Sequence, residues 1–369
     1  MKLNCSKCDA AYEGDKSRWQ CDCGGYLSYE FMPIFTKADI KTERHNMWRY
    51  DFAYPLKYEE LSTTYNEGLT PLVKVGINTC NLYAKMESLM PTGSFKDRGT
   101  VMVVNYLKKS GVEKITEDSS GNAGASVAGY CALAKIPCEI YVPKATSKGK
   151  LIQMKAYGAK IYEIEGTRED VAEAAQKHKE SYAGHNWHPL FIQGTKSIAY
   201  ELWEQNNFKA PENIIASVGN GSVILGLYYG FKELLHNNQI DKLPRLFAVQ
   251  AENCNPIYRE YIGSESNEPF KATIAEGISL RVPNKGSKVV QAVRETGGEV
   301  LSVKEEKIIQ AVKTIAKHGF YVEPTSAAAY AGLESLCERE IIKANDHVIW
   351  VISGNGLKAN AEIGMLLDK

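Results

Sequence analysis

In MPTGSFKDRGT, residues 90–100, Thr92, Gly93 and Ser94 lead into a helical pattern that starts near Lys96. A lysine at a helix N-terminus sits beside the positive end of the helix dipole, which disfavours its charged form. Burial depresses its pKa further, and a neutral amine is a nucleophile toward an aldehyde. The same spacing also suits a surface lysine in a capped helix, so this stretch alone leaves the role open.

Glycine-rich turns supply further chemistry. In NIIASVGNGSVILGLYYGFKELL, residues 213–235, an apolar strand runs into Gly219, Asn220, Gly221 and Ser222 and then into an amphipathic helix. Successive N–H groups of such a turn, with the helix N-terminus behind them, form a site for a phosphate. The turn lacks the Gly-Lys-Ser/Thr ending of a nucleoside-triphosphate loop, and its next glycine is Gly226, too late for the dinucleotide pattern. A tight turn with no ligand is the plainer alternative. In DSSGNAGASVAGYCALA, residues 118–134, Ser119, Ser120 and the backbone at Ala123 suit a carboxylate, and Asn122 suits a ring oxygen. Helix capping alone accounts for the serines. HVIWVISGNGLK, residues 347–358, is another apolar strand, opening onto Ser353, Gly354, Asn355 and Gly356. Ligands of open α/β sheets bind at carboxyl ends of strands, so one crevice can collect all three loops.

The elements that must position these groups alternate along the chain. NLYAKME, CEIYVP, AKIYEIE, NIIASVG, RLFAVQAE and HVIWVIS read as strands; 98–110, 123–135, 149–157, 167–180, 223–235 and 304–317 read as helices. That alternation predicts a layered α/β protein with parallel sheets. We expect a knuckle over residues 1–30, a large subdomain over 31–97 and 196–369, and a small subdomain, 98–195, inserted into it, with the site in the cleft.

Taken together, these motifs resemble fold-type II pyridoxal-phosphate enzymes, the family of threonine synthase, the serine and threonine dehydratases and cysteine synthase. The resemblance spans about residues 66–360 and implies two three-layer subdomains of the tryptophan-synthase-β type. It implies that Lys96 holds the cofactor aldehyde as a Schiff base, flanked by Phe95 and Asp97. It places Asn122 on the ring oxygen, Gly219, Asn220, Gly221, Ser222 and Val223 on the phosphate, and Ser353 on the pyridine nitrogen. A neutral hydroxyl there leaves the ring a weaker electron sink than a carboxylate would, which suits elimination or replacement at the side chain better than transamination. Lys96, once displaced by substrate, is the natural base for the Cα proton.

The whole-chain pattern, from EGLTPL at 67–72 to VEPTSAAAYAGL and GNGLK, is most similar to threonine synthases, which replace the phosphate of O-phosphohomoserine by water. Two stretches depart. In NWHPLFIQGTKS, 186–197, Phe191 occupies the place of an arginine that grips the substrate phosphate. Lys148, Lys150, His185 and His188 are the candidates to compensate, although surface lysines and a capping histidine are the commoner reading. TIAEGISLRVP, 273–283, is closer to the dehydratases, so β-elimination from serine or threonine, or β-replacement on another amino acid, is the alternative. Trp187 with His188 reads as a packed turn, and Glu323 as a carboxylate at a helix N-terminus.

Cys5-x2-Cys8 and Cys21-x-Cys23, followed by Gly24 and Gly25, look like a zinc ribbon whose second pair is one residue short. Structural zinc and a degenerate ribbon of free thiols both fit, and a non-catalytic interaction module is the remote alternative. Cys80, Cys131, Cys138, Cys254 and Cys337 read as buried thiols. With 44 basic and 44 acidic residues no nucleic-acid footprint exists. The N-terminus has no signal-peptide pattern and no apolar run reaches a membrane span, so a cytoplasmic protein is expected, with a small amino-acid substrate. A homodimer is expected from the resemblance alone.

Overall fold

The computed structural model describes residues 2–13, 18–29, 31–77, 80–178 and 181–367, arranged in two compact units. The first unit joins residues 1–68 to 96–197, and the second joins 69–95 to 198–369.

In the second unit a six-stranded sheet runs in the order Glu299–Val303, Arg245–Ala251, Asn213–Ser217, His347–Val351, Asn81–Lys85 and Leu72–Lys74. All neighbours pair in parallel except the last strand, which is an antiparallel edge. Parallel strands covered on both faces need unbroken apolar sequence, and Asn213–Ser217 and His347–Val351 supply it. The core packs this sheet against the helices Glu305–Lys317 and Pro324–Glu338.

The first unit holds a parallel three-stranded sheet, Ile115–Glu117, Cys138–Pro143 and Lys160–Ile164, with the helices Lys96–Lys109, Asn122–Ala134, Lys148–Ala156 and Arg168–Gln176. Of the helix expected over 167–180, residues 179 and 180 lie outside the described residues. Residues 31–68, expected with the larger subdomain, belong to this first unit. The Asn105 Oδ1 atom accepts the backbone N–H groups of Ser62 at 2.8 Å and Thr63 at 3.0 Å. Glu67 accepts both the Trp48 indole and the Tyr130 hydroxyl at 2.7 Å.

The knuckle is a three-stranded antiparallel sheet of Lys2–Cys5, Ala11–Glu13 and Leu27–Tyr29 over a small core of Leu3, Cys21 and Leu27. It groups with the first unit, where Trp19 meets the Tyr182 ring edge-on at 4.8 Å. Residues 1, 14–17 and 30 of the expected knuckle lie outside the described residues. Among the described residues no helix is long and apolar enough to cross a membrane.

Candidate functional site

Lys96 is the first residue of its helix in the first unit. The residues after it explain why the helix starts there. Asp97, fully buried, accepts the Ser126 hydroxyl at 2.6 Å, and Arg98, also fully buried, donates to Ser197 Oγ at 2.7 Å. Both bonds involve an ionic partner in a dry setting, so they fix the first turn firmly. At Gly99 an added Cβ would lie 2.5 Å from the Phe191 ring, so only glycine lets that ring press against the helix. The Lys96 Nζ atom is 5.7 Å from the same ring's centroid, within cation–π range.

Behind Phe191 lies a pair that joins His185, one of the candidates to compensate for the missing arginine, to Glu117, which the motifs did not single out. The His185 ring sits 5.9 Å from Phe191, edge to face, and its Nδ1 is 2.9 Å from Glu117 Oε1. Glu117 ends its strand with no solvent exposure, and burial pushes its carboxyl up to about 7 against the opposing pull of the Lys96 charge. Burial, then the Glu117 charge, also raises the neighbouring Asp118, which accepts the Tyr182 hydroxyl at 2.8 Å. Sequence reasoning passed over Glu117 because the loop was read from Asp118 onward. The available signal was an acidic side chain inside a short strand, directly before the serines.

The serine loop follows that strand. Ser119 Oγ accepts at 3.3 Å the N–H of Gly121, the N-cap of the helix Asn122–Ala134. Ser120 and Asn122 are half-buried, whereas Ser119 and Ala123 are buried.

In the second unit, three adjacent parallel strands end at one edge of the sheet. Asn213–Ser217 leads into Gly219, Asn220 and Gly221, His347–Val351 leads to Ser353, and Asn81–Lys85 leads toward the residues before Lys96. Gly221 has φ +100°, a left-handed conformation that glycine adopts without strain, and it delivers Ser222 and Val223 into the first turn of the helix Ser222–His236. Gly221, the N-cap of that helix, has no side chain of its own to place over the first N–H groups, which suits an anion. Ser353 Oγ is 3.0 Å from Ser326 Oγ, and the Phe95 N–H donates to the Ser353 carbonyl at 3.1 Å. Asn355 N donates to Gly93 O at 3.0 Å and Lys358 Nζ to Thr92 O at 2.8 Å, so the TGSF stretch is strapped to the serine strand's end. The serine loop, by contrast, follows a strand of the other sheet.

Other candidates fall into structural roles. Trp187 packs edge-on against Trp19 at 5.6 Å, and His188 Nδ1 accepts the Leu190 N–H at 3.3 Å, which makes this segment a packed turn. Lys148 is exposed and Lys150 half-buried at the start of their helix. Glu323 occupies the N-cap of Pro324–Glu338 without a side-chain capping bond. Cys131, Cys138 and Cys254 are buried as expected; Cys80 and Cys337 are only half-buried, a correction that follows from their places at the edge of the core.

The amine at a helix start in the first unit, and the glycine turn and the serine at adjacent strand ends in the second, are carried on layered α/β frameworks. The sequence model of the family described as pyridoxal-phosphate dependent enzyme matches residues 63–354, and the chain belongs to that family, in its fold-type II branch. It is a pyridoxal-phosphate-dependent enzyme of the lyase class. The threonine synthase of Methanocaldococcus jannaschii is 34% identical over 376 residues, covering 97% of this chain and 93% of the relative. That of Mycobacterium tuberculosis strain H37Rv is 32% identical over 332 residues, covering 86% and 91%. Among solved structures, an L-serine ammonia-lyase from Rhizomucor miehei superposes with TM-score 0.70 at 23% identity, covering 81% of this chain and 98% of the other. The processed threonine deaminase isoform 2 of Solanum lycopersicum gives 0.69 at 19%, covering 92% and 91%, so both share the fold.

Proposed function

We propose that the chain acts as a threonine synthase, replacing the phosphate of O-phosphohomoserine by water to give threonine. The observation that carries this reading is the 34% identity running through 97% of the chain to a threonine synthase. Pyridoxal phosphate, when bound, supplies the electron sink that lets a proton leave Cα and a group leave the side chain. The residues fit it. The glycine turn with Ser222 and Val223 offers the N–H groups of a helix start to the phosphate. Ser353, a neutral hydroxyl, suits an unprotonated pyridine nitrogen, and Asn122 suits the ring oxygen. Ser119, Ser120 and Ala123 hold the substrate carboxylate. Lys96 attaches the cofactor and, when released, takes the Cα proton on Nζ.

One observation favours a second reading, elimination from serine or threonine. Phe191 sets an apolar ring beside Lys96 where a phosphate-gripping arginine would stand, and Glu117 adds a buried acid behind it. The assay that separates them incubates loaded protein with O-phosphohomoserine, serine and threonine in turn. Threonine and inorganic phosphate in equal amounts support the first reading; 2-oxo acid and ammonia from serine or threonine, with no phosphate release, replace it by the second. A cytoplasmic homodimer belongs to the same proposal, on the resemblance alone.

We also propose a structural zinc ion on Cys5, Cys8, Cys21 and Cys23. Their Sγ atoms all lie within 4.8 Å of one another, with 3.4 Å between Cys5 and Cys23, 3.5 Å between Cys8 and Cys23, and 3.7 Å between Cys8 and Cys21. Four sulfurs about 2.3 Å from a zinc ion form a tetrahedron with edges of about 3.8 Å. The Lys7 N–H donates to Cys5 Sγ at 3.3 Å, which fixes a thiolate lone pair in the first Cys-x2-Cys turn. The short Cys-x-Cys spacing is thus no obstacle to closing the four sulfurs. Metal analysis is expected to find one zinc per chain, lost in Cys8→Ser; a metal-free purified protein that binds no added zinc removes this part of the reading.

A further inference from the structure

The threonine synthase reading above gives the Glu117–His185 pair no role. Its geometry is continuous with Lys96 inside one unit: Lys96 Nζ lies 5.7 Å from the Phe191 ring, that ring 5.9 Å from His185, and His185 Nδ1 2.9 Å from Glu117 Oε1. The second carboxyl oxygen, Glu117 Oε2, is fully buried and has no hydrogen-bond partner among the described residues. A buried carboxyl with an unused oxygen is costly unless it serves something. We propose that Glu117, held in place by His185, is a positioning residue that sets the protonation of Lys96 through its charge, so that the amine's readiness to react depends on whether Glu117 is ionised.

The charged and titratable groups around Glu117 are few. Lys96 faces it from its own helix, Arg168 from the helix Arg168–Gln176, Tyr182 and His185 from the segment after that helix, Cys131 from the helix Asn122–Ala134, and Asp118 follows it in sequence. Burial raises the carboxyl to about 7, and the Lys96 charge is the largest influence opposing that rise, ahead of the His185 backbone and Arg168. Coupling between two titrating groups is reciprocal. If the ammonium favours the carboxylate, the carboxylate holds the proton on Lys96, and protonating Glu117 loosens it. The tautomer of His185 that donates from Nδ1 keeps Oε1 occupied and turns the acid's variable charge onto Oε2. Substrate chemistry plays no part in this; the inference rests on the proposed function only in taking Lys96 as the reactive amine.

The test reads Lys96 directly. The full-length cofactor-free protein is acylated briefly across a pH series, and modification of Lys96 is measured by mass spectrometry after digestion. In Glu117→Gln the midpoint is expected to fall by about one pH unit relative to wild type, while Asp118→Asn keeps most of the wild-type value. Equal midpoints in wild type and Glu117→Gln overturn the proposal, as does an equal shift in Asp118→Asn. A second readout uses the loaded protein: the pH midpoint of the visible band of the lysine-bound cofactor is expected to be lower in Glu117→Gln than in wild type, and equal midpoints also overturn it. A protein that never develops a band contradicts the proposed function, while the labelling of Lys96 still decides this inference.

Discussion

Phe191 and Glu117 are both part of the surroundings of Lys96, the first by ring contact and the second by charge. An aromatic face attracts the ammonium weakly and gives a phosphate nothing to bond, so any grip on a phosphorylated substrate must come from elsewhere. The ring is held by close packing, which makes Gly99 a sensitive position. Gly99→Ala is expected to lower stability by about 1–3 kcal/mol through overpacking against Phe191, and Phe191→Leu in the same chain to recover most of it; thermal melts of the single and double variants check this. Glu117 also leaves a pH signature. Its folded value of about 7 lies above the usual carboxylic value of 4.5, so the folded state binds the extra proton and is stabilised by it. That contribution is complete below about 4.5 and is lost as pH rises through 7. Wild type is therefore expected to lose on the order of 3 kcal/mol relative to Glu117→Gln between those limits, seen by comparing their urea midpoints at pH 5 and pH 8. A constant difference between the two proteins rules this out. The motif residues were legible because small polar groups and glycines at strand ends have few other uses; Glu117 was not, because its importance comes from Lys96 and His185, which are remote in sequence.

At the scale of elements, the strand Asn81–Lys85 is anchored by an ion pair that the sequence did not announce. Lys85 Nζ lies 2.6 Å from Glu201 Oε2, both side chains fully buried, and it also donates to Thr70 O at 2.8 Å and Gln205 Oε1 at 3.0 Å. The same Glu201 accepts the Leu69 N–H at 2.8 Å, so the EGLTPL stretch and the strand share one anchor. Removing one partner strands a charge in the core. Glu201→Ala is expected to cost about 3–5 kcal/mol, and Lys85→Met with Glu201→Leu to regain much of it, measured as melting temperature with cofactor bound. Amphipathic helices such as Glu305–Lys317, with one buried face, were readable from their period. Of the helix Pro324–Glu338 only the start at Glu323 was readable, because Thr325 through Leu333 are all buried and the alanine-rich text has no polar face to mark its length. The strands Ile115–Glu117 and Glu299–Val303 were too short or too mixed to stand out.

For the whole molecule, the alternation of strands and helices was enough to expect parallel sheets, but the grouping of residues 31–68 was not legible. It depends on Asn105 and Tyr130, side chains far along the chain, meeting Ser62, Thr63 and Glu67. The knuckle poses a separable question. Trp19 links it to Tyr182 and Trp187 at 4.8 and 5.6 Å, within the first unit. Stripping zinc with a chelator is expected to alter Trp19 fluorescence, absent in Trp19→Phe, while the visible cofactor band persists. Loss of that band together with the metal would mean that the knuckle supports more than its own fold.

The proposed chemistry depends on Lys96 above all. The cofactor-loaded protein is reduced with borohydride, digested and mapped by mass spectrometry. A phosphopyridoxyl group on Lys96, absent in Lys96→Ala, is the predicted result; the group on another lysine, or on none, contradicts it.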